Sequence, residues 1–105
     1  MQRECLFDMN SGMDTLSCVE FEYDPEKSEI NQRKHGIDFH SAQQLWSDEK
    51  RVVVPARSTT EPREAIIAEL DGTLWTAIFT LRGDVTRIIS VRRSRNEERE
   101  GYNHR

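Results

Sequence analysis

The chain alternates between short patterned stretches and polar breaks. Val19-Glu-Phe-Glu-Tyr23 alternates apolar and acidic residues, the period-two signature of a strand with one buried face. Asp24-Pro25 then supplies a capping side chain and a ring suited to the first helical position, which predicts a helix from about Pro25 to Lys34 with Gly36 as its stop. Asp38 is placed to cap a second helix, in which Phe39, Ala42, Leu45 and Trp46 fall on one face as a core stripe. Residues 51 to 55 read as a short strand and 57 to 62 as a polar loop. Three further strands are predicted over 64 to 70, 73 to 80 and 85 to 91, with Asp71-Gly72 as a two-residue hairpin signal and Arg82-Gly83-Asp84 marking the next turn. Ser94-Arg-Asn-Glu97 has capping-box spacing, so a short polar helix is expected to start there and run to about Tyr102.

This order predicts an α+β fold: an N-terminal strand and two helices, then a four-stranded antiparallel meander and a C-terminal helix, with the helices on one face. Residues 1 to 18 show neither period and read as a loosely ordered extension; residues 19 to 105 form the single expected domain. The length of 105 residues suits one such domain and one site on one sheet.

Composition narrows the class. No apolar run approaches the roughly 18 residues that span a bilayer, and the opening residues lack the basic and apolar regions of a secretory signal, so a cytoplasmic protein is expected. Cys5 and Cys18 match no zinc or redox spacing and read as free thiols. The net charge of −4 argues against holding nucleic acid through the overall field, but its distribution is uneven. Residues 82 to 105 hold seven arginines against four acidic residues, while the preceding part is strongly acidic.

The positive run from Arg87 to Arg99 is therefore the candidate site. Strict alternation along the last strand puts Val85, Arg87, Ile89 and Val91 on one side and Thr86, Ile88, Ser90 and Arg92 on the other. Arg92 and Arg93 precede a predicted helix start, whose free N–H groups add positive potential, and guanidinium forks there suit a phosphate. The same arginines also suit a solvated face paired with Glu97, Glu98 and Glu100, for example Arg95 with Glu98. His35 is the candidate acid or base, being placed to titrate near neutrality; it equally suits a residue that closes a helix end.

Phe21-Glu-Tyr-Asp-Pro-Glu-Lys27, Lys34-His-Gly36, Phe39-His-Ser-Ala42, Glu61-Pro-Arg63 and Arg87-Ile-Ile-Ser-Val-Arg92, with Glu98-Arg99 and Tyr102, resemble the BrnT family in order and approximate spacing, over about residues 20 to 102. The resemblance implies a RelE-like fold and the toxin of a type II toxin–antitoxin pair, a ribonuclease that halts translation. It also implies a BrnA-like antitoxin with a ribbon-helix-helix domain, through which the complex reaches operator DNA. A ribonuclease working without metal needs a proton acceptor for the 2′-OH, a cation on the phosphate and a proton donor for the leaving oxygen. On this reading the catalytic candidates are Arg92, Arg63, His35 and Ser90, and the RNA-binding candidates Lys34, Arg82, Arg87, Arg93 and Tyr102, with no metal and no cofactor expected. The alternatives are a non-catalytic, antitoxin-binding corepressor of its own operon and an RNA-binding domain without cleavage.

Overall fold

The computed structural model describes residues 2–7, 18–57 and 61–103. Strands β1 (Gln2–Phe7) and β2 (Cys18–Tyr23) precede helix α1 (Pro25–His35) and a short helix α2 (Phe39–Ala42), which tightens into a 3₁₀ turn over Gln43–Ser47. Strands β3 (Val52–Ala56), β4 (Arg63–Leu70), β5 (Thr73–Arg82) and β6 (Val85–Arg93) follow, and helix α3 (Asn96–Asn103) ends the described chain.

The expected meander is present: β3, β4, β5 and β6 pair antiparallel in sequence order. Two features extend it. β2 joins the sheet parallel to β6, and β1 pairs antiparallel with β2, giving six strands in the order β1-β2-β6-β5-β4-β3. Gln2–Phe7 is thus a strand in a stretch where the sequence shows no period. Backbone pairing with β2 orders it, and such pairing leaves no trace in a side-chain pattern. The side chains of Cys5 and Cys18, with the thiol state expected of them, lie outside the described residues, as do residues 58–60 of the polar loop.

Local chemistry accounts for the element ends. The Asp24 carboxylate accepts from Glu26 N–H at 2.9 Å and Asp38 from Ser41 N–H at 2.7 Å, each satisfying a helix-start donor. Asp71 (φ 53°) and Gly72 (φ 81°) are both left-handed, as a two-residue hairpin turn matching the strand twist requires. In the second helical stretch Phe39, Ala42 and Leu45 recur every three residues, the period of a 3₁₀ helix, and all three are buried although α2 itself is only one turn long.

That stripe packs with Ile37 against one face of the sheet, formed by Phe21, Tyr23, Ile66, Ala68, Trp75, Ala77, Phe79, Ile88 and Val91. Trp46 sits edge-on to Phe21 and Phe79, with centroids 5.0 and 5.2 Å apart. The inward residues of α1 are polar. Buried Ser28 accepts from Phe39 N–H at 2.9 Å. Asn31 donates to the Ile37 carbonyl at 2.8 Å and accepts from Val91 N–H at 3.2 Å. α1 is therefore fastened to the outer edge of β6 by hydrogen bonds where β2, paired with β6 only over residues 85 to 87, no longer covers it.

Candidate functional site

The opposite sheet face carries Arg63, Arg82, Arg87 and Arg92, the last brought there by a β-bulge. Ile78 pairs with Ser90 but Phe79 pairs with Ile88, so Ile89 is the extra residue on β6. The bulge reverses the alternation at its midpoint. Thr86, Ile88 and Val91 point into the core, and Arg87, Ser90 and Arg92 lie opposite Thr80, Ile78 and Thr76 on the open face, the one without α1 and α2, where Ile67, Thr76 and Thr80 are nonetheless buried. The expected grouping of Ser90 and Arg92 with Ile88 is corrected accordingly. Strict alternation held only as far as residue 88.

Arg63, one residue before the Glu64–Phe79 pair, brings the first turn of β4 to the same face. Beside it, Thr80 Oγ1 donates to the Pro62 carbonyl at 2.7 Å and fixes the entry of the strand. Arg63, Thr80 and Arg87 thus form one row across β4, β5 and β6, continued on β2 by Glu22, the register partner of Arg87. Arg82 stands at the adjoining hairpin end. Glu61 lies between Arg63 and Arg82, at 4.0 and 3.6 Å from their terminal nitrogens, too far for a short charge-assisted bond to either. The Arg63 Nε is out of contact with solvent and has no hydrogen-bond partner among the described residues.

Lys34 and His35 reach the site from α1. They line a cleft of about 190 Å³ with Lys27, Ile30, Asn31, Phe39, Ile89 and Ser90, between the last turns of α1 and the uncovered edge of β6. Ser90 belongs to this cleft and, by register, to the open face, so it joins the two groups. His35 is exposed and ends α1, where Gly36 in the left-handed conformation donates its N–H to the Gln32 carbonyl at 2.9 Å. Packing does not consume its ring.

Arg92, Arg93 and Tyr102 lie at the other end of the sheet. Both terminal nitrogens of Arg92 are engaged by Glu98, at 2.7 and 2.9 Å, so its fork closes on a carboxylate of α3. Glu98 also accepts from Arg95 N–H at 2.7 Å and from Thr76 Oγ1 at 3.1 Å. The Arg92 guanidinium above all, with these further donors, holds the Glu98 carboxyl down at about 2 against the opposing effect of burial. The same bond raises the Arg92 pKa. The expected capping box is displaced by one residue, because Glu98 rather than Glu97 reaches back to the helix start, while Ser94 is buried against Thr76 at 2.8 Å. Arg93 stacks over Trp75, 5.9 Å from the ring centroid. Tyr102 donates to Asp48 Oδ2 at 2.7 Å and ties α3 to the 3₁₀ turn.

The sequence reading missed Lys27 and Ile30. They share one face of α1 with Lys34, at positions i, i+3 and i+7, a spacing visible in the sequence but without meaning until the neighbour of that face is known. Among the described residues no group of three or more His, Cys, Asp or Glu side chains is placed to hold a metal ion, and no helix is long and apolar enough to cross a membrane.

The helices do not all lie on one face as expected: α1 and α2 pack on the core face, while Glu98 of α3 bonds Thr76 and Arg92 on the other. The result is an α+β domain with Arg63, Arg82 and Arg87 near one end of that second face and a basic cleft at the edge of β6. The family model for the ribonuclease toxin, BrnT, of type II toxin–antitoxin systems matches residues 23–98, from the end of β2 to the Glu98 that holds Arg92. The chain belongs to that family. A search of the curated proteins returned no match.

Proposed function

We propose that this protein is a metal-independent endoribonuclease that inhibits translation, that its antitoxin carries a ribbon-helix-helix domain, and that RNA is cut on the open sheet face between Arg63, Arg87 and the Lys34–His35 cleft. Membership of a type II toxin–antitoxin ribonuclease family supports the reaction class and an antitoxin partner. The observation that carries the site is the Arg63 guanidinium, a fork beside Arg82 and Arg87 whose Nε has no acceptor among the described residues. A buried donor without a partner costs on the order of 1–3 kcal/mol, and a phosphate oxygen relieves that cost once the guanidinium turns to meet it.

In this reading Arg63 and Arg87 clamp the scissile phosphate, and Arg82 steers the strand at the hairpin end. The 2′-OH loses its proton to a group in the cleft as its oxygen bonds phosphorus. The 5′-oxygen leaves as the P–O bond breaks and takes up a proton, so a 2′,3′-cyclic phosphate and a 5′-hydroxyl result. His35 carries one of these protons, Lys34 neutralises the developing charge, and Ser90 orients the ribose. Arg92 is a positioning residue: with its fork on Glu98, it fixes α3 across the lower end of the face.

The test is cleavage of RNA by the purified protein in the presence of a chelator. Wild type is expected to produce fragments ending in cyclic phosphate, and the Arg63→Ala, Arg87→Ala double variant to cleave at least about 100-fold more slowly. Intact RNA, together with harmless expression in the absence of antitoxin, would instead support the non-catalytic corepressor.

A further inference from the structure

Two further arginines of the C-terminal run, Arg93 and Arg99, lie in a second pocket. A cavity of about 320 Å³ between the β4–β5 turn and α3 is lined by Gly72, Thr73, Leu74, Arg93 and Arg99. Neither arginine has a carboxylate partner among the described residues. Arg93 is held in place by stacking on Trp75, itself largely buried, so its planar fork is presented at reduced entropic cost. The Leu74 carbonyl accepts from Ser94 N–H at 3.0 Å, which ties the β5 side of the pocket to the residue after Arg93. Across the same hairpin turn the surface changes sign: Asp48, Glu69 and Asp71 line a separate cleft on the far side of Gly72. An anion approaching the turn is therefore drawn to one side and repelled from the other.

The geometry points to this pocket as an exosite for the phosphate backbone of single-stranded RNA, engaged by the part of the strand that runs past the cleavage site. The inference rests on the reading of the open face as that site. Proximity supports it: Arg93 follows Ser90 by three residues on β6, about 10 Å at roughly 3.3 Å per residue, and although its register partner Trp75 turns it off the open face, a strand of a few nucleotides leaving the cleavage site past the end of β6 reaches the pocket. The lining supports phosphate over a protein segment. Two guanidinium forks and a glycine–threonine turn offer charge and donors, whereas a docked peptide needs an apolar floor, to which only Leu74 contributes.

Binding of uncleavable 2′-O-methyl RNA to the intact protein tests this, with oligonucleotides on the order of 4 and 16 nucleotides. The Arg93→Ala, Arg99→Ala double variant is expected to bind the long RNA about tenfold more weakly. Its slope of log affinity against log salt is expected to fall by about 1.4, two phosphate contacts at roughly 0.7 each. Arg99→Ala alone should weaken the long RNA and leave the short one at wild-type affinity. Arg95→Ala, on the same helix but outside the pocket, serves as the charge control. An equal loss from Arg95→Ala, or no preference of wild type for the long RNA, overturns the exosite while leaving the cleavage site standing. Tighter binding of duplex DNA of the same length, lost in the double variant, assigns the pocket to DNA and overturns it too. If wild type binds neither RNA, the reading of the open face fails with it.

Discussion

Arg92 and Glu98 face each other through two parallel hydrogen bonds of 2.7 and 2.9 Å, a bidentate pair joining the end of β6 to the first turn of α3, with both side chains about three-quarters buried. The Glu98 carboxyl ionises at about 2 in the folded protein, against 4.5 for the unperturbed group. A depressed carboxyl contributes its stability above the unfolded value and loses it as pH falls through the folded one. Glu98→Gln is therefore expected to cost roughly 1–2 kcal/mol near neutral pH, after allowing for solvent screening, and almost nothing by about pH 2. Denaturant unfolding of wild type and variant across that interval measures the convergence.

Asn31 has a comparable role for α1. Asn31→Ala leaves the Ile37 carbonyl and Val91 N–H unpartnered inside the molecule. The expected cost is about 2–4 kcal/mol, since each orphaned buried group costs on the order of 1–3 kcal/mol and the first partially rehydrates. Thermal unfolding reads it, and Asn31→Asp, which keeps the acceptor for Val91 but loses the donor to Ile37, should fall between.

These two side chains also mark the limits of the sequence. The meander, both helix caps and the Phe39–Ala42–Leu45 stripe were legible because turn chemistry and apolar spacing act locally. α1 announced itself only through Asp24-Pro25 and Gly36: its inward residues are Ser28 and Asn31, so no apolar period exists to find. The bulge at Ile89 could not be seen either, because it is a property of the pairing of β5 with β6 and not of β6 alone. It converts two mixed faces into one apolar face and one carrying Arg87, Ser90 and Arg92. The partner of Arg92 was open for the same reason. Spacing offered Glu98 to Arg95 on the helix, but the strand end delivers Arg92 to it first.

Tyr102 separates a structural from an RNA-stacking role. Its hydroxyl donates to Asp48, which also accepts from Glu69 N–H at 2.8 Å and Lys50 N–H at 2.9 Å. Burial works to raise the Asp48 carboxyl, but these bonds, with the nearby Lys50 charge, outweigh it and hold it below its ordinary value. Tyr102→Phe keeps the ring and removes only the bond, with an expected loss of about 1 kcal/mol in denaturant unfolding. Rates of RNA cleavage should be unchanged at temperatures where the variant is folded. A rate loss without a stability loss would place the hydroxyl on the substrate.

His35 sits on the last turn of α1, held over the cleft by the left-handed Gly36. If it carries a proton in the reaction, His35→Asn should lower kcat by about 10²–10⁴ and leave KM nearly unchanged, since proton transfer is made only in the transition state. Gly36→Ala provides the companion measurement. It adds a β-carbon at φ 81°, where open space surrounds the residue, so the cost is backbone strain of about 1 kcal/mol rather than a clash. That strain shifts the end of α1 without altering the imidazole. A site that depends on where His35 is held should therefore lose kcat in Gly36→Ala as well, by a smaller factor, in single-turnover cleavage. Equal activity of wild type and His35→Asn would remove the histidine from the chemistry and leave Lys34 as the cleft's working cation.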